Sequence, residues 1–249
     1  MTDSALTHRI NETRQSRREG AECWNRFMEF LDSREAANCM FRGVSDIGHR
    51  LRPKSGRDNA VSPNGYDALR ERRLFNSFKR RARVHLSGHE PSDWEWLALA
   101  QHHGLPTRLL DWTSNPLVAA FFAVATQKDS AEAAVYSVRV TDRMLVDTAK
   151  ETDPFAVEGV RFVIPMVNDA RLLSQKGFFT VHNPPDADWL PPNAERNIFK
   201  IPAKAGGYFR RKLFYLGIDY AHIMADLDGL CQSLEWQYRQ GIAVGKVSY

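Results

Sequence analysis

Leu97-Ala98-Leu99-Ala100-Gln101-His102-His103-Gly104-Leu105-Pro106-Thr107-Arg108-Leu109-Leu110-Asp111-Trp112-Thr113-Ser114-Asn115-Pro116 reads as a helix end, a buried strand and a helix start in direct succession. The incoming helix is announced by Ser92-Asp93-Trp94-Glu95, a capping box in which a serine oxygen and a glutamate side chain satisfy free amides at a helix start. Trp94, Leu97, Ala98 and Gln101 line one face, and Gly104 is a natural terminator. Thr107 to Asp111 then reads as a strand. Ser114-Asn115-Pro116 starts the next helix, because serine and asparagine cap well and proline suits the first helical position. That helix, Leu117 to Thr126, is small and apolar. Polar side chains crowded between elements this apolar are where solvated charge is not expected, so they are candidates for chemistry.

Upstream, Trp24, Phe27, Met28 and Leu31 fall at helical spacing, so order is expected to begin near Glu22, after a loose polar arm over residues 1–20. Met40 to Arg42 reads as a short strand ended by Gly43. The stretch from Asp46 to Asn64 has no period and reads as a surface loop carrying Arg50, Arg52, Lys54 and Arg57. A helix is expected after Gly65 through Arg83. Phe75 and Phe78 face inward, and Arg70, Arg72, Arg73, Lys79, Arg80, Arg81 and Arg83 make it the most basic element.

Downstream, Ala134 to Val140, Phe162-Val163-Ile164, Phe178 to His182 and Asn197 to Ile201 read as strands, and from Gly206 the chain reads as helical in two pieces broken at Gly217. The order implies one α+β domain with helices early and late.

The formal charge of +4 and isoelectric point near 9.0 are too mild to imply a polyanion partner by themselves. Three cysteines, Cys23, Cys39 and Cys231, lack the paired spacing of a zinc or redox site and suit a reducing compartment. The first residues lack a signal-peptide core, and no apolar run approaches the ~20 residues that span a bilayer. A cytoplasmic protein with no membrane contact is expected.

An arginine on a strand end beside a glycine, as in Phe41-Arg42-Gly43, can hold a phosphate or carboxylate through two parallel hydrogen bonds, and the ordinary alternative is a buried carboxylate partner. His102 and His103 fall in the last helical turn, where the dipole favours their protonated form. Each is a candidate acid or anion contact, with capping as the plain alternative. Adjacent histidines diverge, so no metal is expected there. Asp111-Trp112-Thr113-Ser114-Asn115 puts a carboxylate, an aromatic plane and hydroxyls where a strand runs into a helix, a common place to bind anionic or nucleotide groups. One of Ser114 and Asn115 should cap, and Asp111 could equally pair with Arg108 or Arg42. His85 and His89 have ligand spacing, but Gly88 and the lack of a third ligand make them surface residues. No phosphate-binding glycine loop or Gly-x-Ser-x-Gly elbow occurs, which leaves kinase, Rossmann and α/β-hydrolase readings without support.

With these residues in view, the chain resembles the FRG domain family, named for the tripeptide Phe41-Arg42-Gly43. The resemblance continues through Leu51-Arg52-Pro53, Glu71, the run from Leu97 to Pro116, Arg171, Gln175-Lys176-Gly177-Phe178-Phe179 and Asp226-Leu227-Asp228-Gly229-Leu230. It implies an FRG domain over residues 21–249, its C-terminal helices included. A second resemblance is to ADP-ribosyltransferases of the arginine-serine-glutamate type. Arg42 matches their first motif, and Thr113-Ser114 followed by Ala119 and Phe122 looks like the second.

That resemblance implies a split β core and an NAD-using transferase, a toxin or anti-phage defence effector modifying nucleic acid or protein, with no metal. Arg42 would hold the pyrophosphate, Ser114 the nicotinamide ribose, and a carboxylate the ribosyl cation. Gly43, Gln101, His102, Arg108, Trp112 and Asn115 would complete the cradle, and His103 and Asp111 would join the catalytic group. The glutamate position falls at Gln175, an amide that cannot neutralise a cation, so Asp111 or Glu158 is the substitute to examine. Two other classes remain open: a nucleic-acid-binding module using the Arg70–Arg83 helix, the loop arginines Arg50, Arg52 and Arg57, and Arg210-Arg211-Lys212, and a non-catalytic protein-interaction domain. A protein target or a neutralising partner is a further expectation.

Overall fold

In the computed structural model, which describes residues 3–33, 38–57, 65–86, 90–164 and 177–242 with side chains from residue 15, the central run is helix, strand and helix as read. Helix α3 (Asp93–His102) opens on the capping box: the Ser92 hydroxyl accepts from the Glu95 amide at 3.3 Å, and the Glu95 carboxylate accepts from the Ser92 amide at 2.7 Å. It closes at Gly104, whose φ of 77° lets the amides of Gly104 and Leu105 fold back on the carbonyls of Gln101 and Ala100. Strand β2 is Leu109–Thr113, two residues later than the sequence suggests. Pro106 has no N–H for a ladder, and the Thr107 hydroxyl takes the Leu109 amide at 3.2 Å. Asn115 caps α4 (Pro116–Ala125), accepting from the Leu117 amide at 3.0 Å.

Strands β1 (Cys39–Val44), β2, β3 (Ala133–Arg139), β4 (Gly159–Val163), β5 (Gly177–Asn183) and β6 (Ile198–Ile201) form one antiparallel sheet in the order β4-β5-β2-β1-β3-β6. Inside it β1 runs against β3 from Cys39↔Arg139 to Val44↔Ala134, and β2 against β5 from Leu109↔Val181 to Thr113↔Gly177. Between β1 and β2 the register is Phe41↔Thr113 alone among the described residues. The sheet is therefore two well-laddered halves that part beyond that pair.

Helices cover one face of both halves. On β1, β3 and β6 lie α4, α1 (Asp3–Asp32) and α5 (Ala203–Tyr215), with Phe27, Phe41, Val118, Phe209 and Leu213 in the core. Beside them stand α6 (Tyr220–Met224) and α7 (Leu227–Arg239). On β2, β5 and β4 lie α2 (Ala68–Ala82) and α3, with Phe75, Trp94, Trp96, Leu109 and Val181. The other face carries Val44, Leu51, Leu110, Trp112, Tyr136 and Phe162 beneath loops. Among the described residues no helix is long and apolar enough to cross a membrane.

Two further sequence expectations need correction. Helix α1 begins at Asp3 rather than near Glu22, so the polar start is helical and not a loose arm. Good helix formers and i,i+4 pairs such as Gln15–Glu19 and Arg18–Glu22 support it without an apolar stripe. The C-terminal region is three helices rather than two, since Asp219 and Asp226 each cap a new start. His85 is exposed, while His89 lies outside the described residues.

Gly43 shows why β1 needs a glycine. Any Cβ there would run into the carbonyl oxygen of Ala119 and come within 2.6 Å of the Ala123 amide nitrogen, so α4 lies directly on the strand backbone. Overpacking of this kind costs about 1–3 kcal/mol. Gly43→Ala should lower the melting temperature by several degrees in thermal denaturation, and an unchanged value would mean that α4 does not press on β1.

On the loop face, His182 is fully buried; its Nε2 shares a 2.9 Å hydrogen bond with the Thr180 hydroxyl, which also accepts from the Trp112 indole at 3.1 Å. Burial, aided by the charge of Arg42, pushes the His182 pKa down from 6.5 to about 3. Below pH 6.5 the unfolded chain then takes up a proton that the folded chain refuses until about pH 3, so stability is lost as pH falls through that window. In melts between about pH 7 and pH 4, His182→Gln should show a shallower decline than wild type; parallel declines would contradict the assignment.

Candidate functional site

The parting of β1 from β2 opens a cleft of about 880 Å³, within the size range of small-molecule and cofactor sites. Side chains alternate along strands. Arg42 therefore shares its side of the sheet with Trp112 and Tyr136, while Asp111 shares its side with Phe41 and Thr113. Arg42 nonetheless reaches the Asp111 residue: one guanidinium nitrogen donates to the Asp111 backbone carbonyl and stands 4.0 Å from its carboxylate. It does so beside the Phe41↔Thr113 pair, where the ladder is open.

The Arg42 side chain is 15% exposed, and its Nε is buried with no hydrogen-bond partner among the described residues. Burial lowers its pKa from 12.5 to about 10, with Asp111 opposing the shift and Arg57 adding to it, so the cation persists at neutral pH. Asp111 is set by Gln101, whose amide nitrogen lies 3.2 and 3.1 Å from the two carboxylate oxygens. The Thr107 hydroxyl donates to the Gln101 oxygen at 2.6 Å, which fixes the amide the right way round. The wall also carries Arg50, Arg52, Arg57, His49 and His102. Asp111 is the carboxylate among the lining residues, so the cleft is electropositive and suited to an anion.

Of the residues singled out from sequence, Arg42, Gly43, Gln101, His102, Asp111 and Trp112 meet at this cleft. Trp112 contributes a wall and not a stacking plate, since its indole is buried and hydrogen-bonded to Thr180. Thr113 lines the cleft, whereas Ser114 is half-buried outside the lining. Asn115 is engaged in capping α4. His103 is the exposed C-cap of α3.

Arg108 is drawn away altogether. It is 2% exposed, pairs with Glu71 at 2.5 Å and Tyr66 at 3.0 Å, and lies over the Phe155 ring at 4.3 Å, an ion pair that ties α2 to the start of β2. Glu158 is exposed and off the lining, and Gln175 lies outside the described residues. On the basic helix α2, Arg72 pairs with Asp153 at 2.7 Å, Lys79 with Asp93, and Arg83 with Glu90 at 2.6 Å, while Arg73, Arg80 and Arg81 are exposed.

The loop arginines Arg50, Arg52 and Arg57, open to a nucleic-acid role in the sequence, stand on the same wall as Arg42, a placement that no local pattern in the 46–57 segment discloses.

Comparison with known proteins finds no match among curated proteins and none among solved structures. The model of the FRG domain matches residues 37–132, which takes in β1, the arginine loop, α2, α3, β2 and α4 but not the later segments in which the resemblance was also read. The cleft's principal residues, from Arg42 to Phe122, fall inside that match, so the segment that builds the cleft is the one similar to the FRG domain.

Proposed function

We propose that the cleft binds NAD and that the chain is an ADP-ribosyltransferase-like enzyme acting on a macromolecule. The observation that carries this reading is Arg42: a buried guanidinium whose Nε has no partner among the described residues, projecting into an electropositive cleft where two halves of a sheet part. Such a group suits a pyrophosphate, which accepts two parallel hydrogen bonds where the backbone carbonyl of Asp111 accepts one.

The reaction would break the bond between the nicotinamide nitrogen and the ribose C1′. Nicotinamide leaves as a neutral amide with the bonding electrons, C1′ becomes cationic, and a nucleophile of the acceptor bonds to it and releases a proton. Asp111 is the carboxylate available to stabilise that cation, held in place by Gln101 and Thr107. A role in toxicity or anti-phage defence would follow from modification of an essential nucleic acid or protein.

Incubation of the protein with labelled NAD and cell extract tests the reading. Label should pass to a macromolecule with release of nicotinamide, and Asp111→Asn and Arg42→Ala should each lower the rate about 10²-fold or more while remaining folded. Neither transferred label nor free nicotinamide from the wild-type protein would overturn the enzymatic form.

A further inference from the structure

The rim of the cleft holds a second cationic group that the reaction above leaves unused. Arg50 and Arg52, on the loop after β1, converge on Asp188, which comes from the loop between β5 and β6. Both Nε and Nη2 of Arg52 lie 2.8 Å from one carboxylate oxygen, and Arg50 Nη1 lies 3.0 Å from the other. Arg57, on the same wall, donates from Nε to the Arg52 carbonyl at 3.2 Å. The Arg52 side chain is 11% exposed, whereas Asp188 is 58% exposed.

Two guanidiniums closing on the two oxygens of one anion is how arginines grip a phosphate. A simple tether between two loops would be the plain account of Asp188, but an ion pair with so exposed a carboxylate holds loops weakly. The charge balance also favours a ligand. Arg42, Arg50, Arg52 and Arg57 share this cleft, and among the described residues the carboxylates paired with them are Asp111 and Asp188.

We infer that Arg50 and Arg52 form a second phosphate subsite at the cleft rim, and that Asp188 fills it as an internal counter-ion which an incoming phosphate displaces. The phosphate belongs either to a small nucleotide seated against Arg42 or to a nucleic-acid backbone approaching the rim, and the chemistry recognised is the same. The inference extends the nucleotide reading of the cleft and rests on it for the adjoining Arg42 position, but its test does not use NAD.

Calorimetric titration of the full chain with inorganic pyrophosphate and, separately, with a short single-stranded DNA supplies the test. Asp188→Asn should bind at least one probe about tenfold more tightly than wild type, and adding Arg52→Gln should remove the gain. A gain with pyrophosphate assigns the subsite to small nucleotides, and a gain with DNA alone assigns it to a polynucleotide backbone. The gain should persist in an Arg42→Ala background, which separates it from the NAD reading. Equal or weaker binding of both probes by a folded Asp188→Asn protein would overturn the subsite. Loss of the folded state in that variant would do the same, since Asp188 would then be a structural tether.

Discussion

The guanidinium of Arg42 bonds to the Asp111 carbonyl at the point where β1 leaves β2, and the arrangement around it follows from that bond. The strands share the Phe41↔Thr113 register, and beyond it a side chain spans the gap to the Asp111 carbonyl. An arginine suits the position because it is long and planar and stays charged when partly desolvated, as the persistence of its cation despite burial shows. A gap left open by backbone and spanned by one cation is a cleft with a built-in electrostatic preference.

The three residues of the family tripeptide divide the labour of building that cleft. Phe41 is buried among the helices α1, α4 and α5, which anchors the strand. Gly43 lets α4 rest on the strand backbone, so its missing side chain serves helix packing and not the approach of a ligand. Arg42, between them, is turned to the opposite side and kept for the cleft. The Glu71–Arg108 pair plays the corresponding structural part on the other half of the sheet, fastening α2 where β2 begins. Arg42 in β1 and Arg108 just before β2 thus have opposite fates, set by whether a carboxylate meets them in the core.

Much of this was legible in the sequence where local rules act alone. The capping box at Ser92, the glycine stop at Gly104 and the asparagine-proline start at Asn115 are satisfied by atoms within a few residues, so their reading carried over directly. The start of β2 falls later than the apolar pattern suggests because Pro106 lacks an N–H and Thr107 spends its hydroxyl on Gln101 and on the Leu109 amide, a side-chain turn that the pattern of apolar residues does not display. Helix α1 was cut short because hydrophobic period, the sign used, is absent from a helix end whose described polar pairs are i,i+4 contacts. Arg108 was indistinguishable from Arg42 in sequence, since its partner Glu71 stands 37 residues away. The rim arginines were visible only as loop charge, because their convergence depends on Asp188, which stands 136 residues beyond Arg52 in the chain.

A crystal structure of the protein with NAD bound would test the central claim most directly. The account predicts the pyrophosphate on Arg42, with the guanidinium's bond to the Asp111 carbonyl exchanged for phosphate oxygens and the nicotinamide ribose beside Asp111. NAD bound elsewhere on the surface, or crystals soaked in NAD with Arg42 still bonded to that carbonyl, would contradict it.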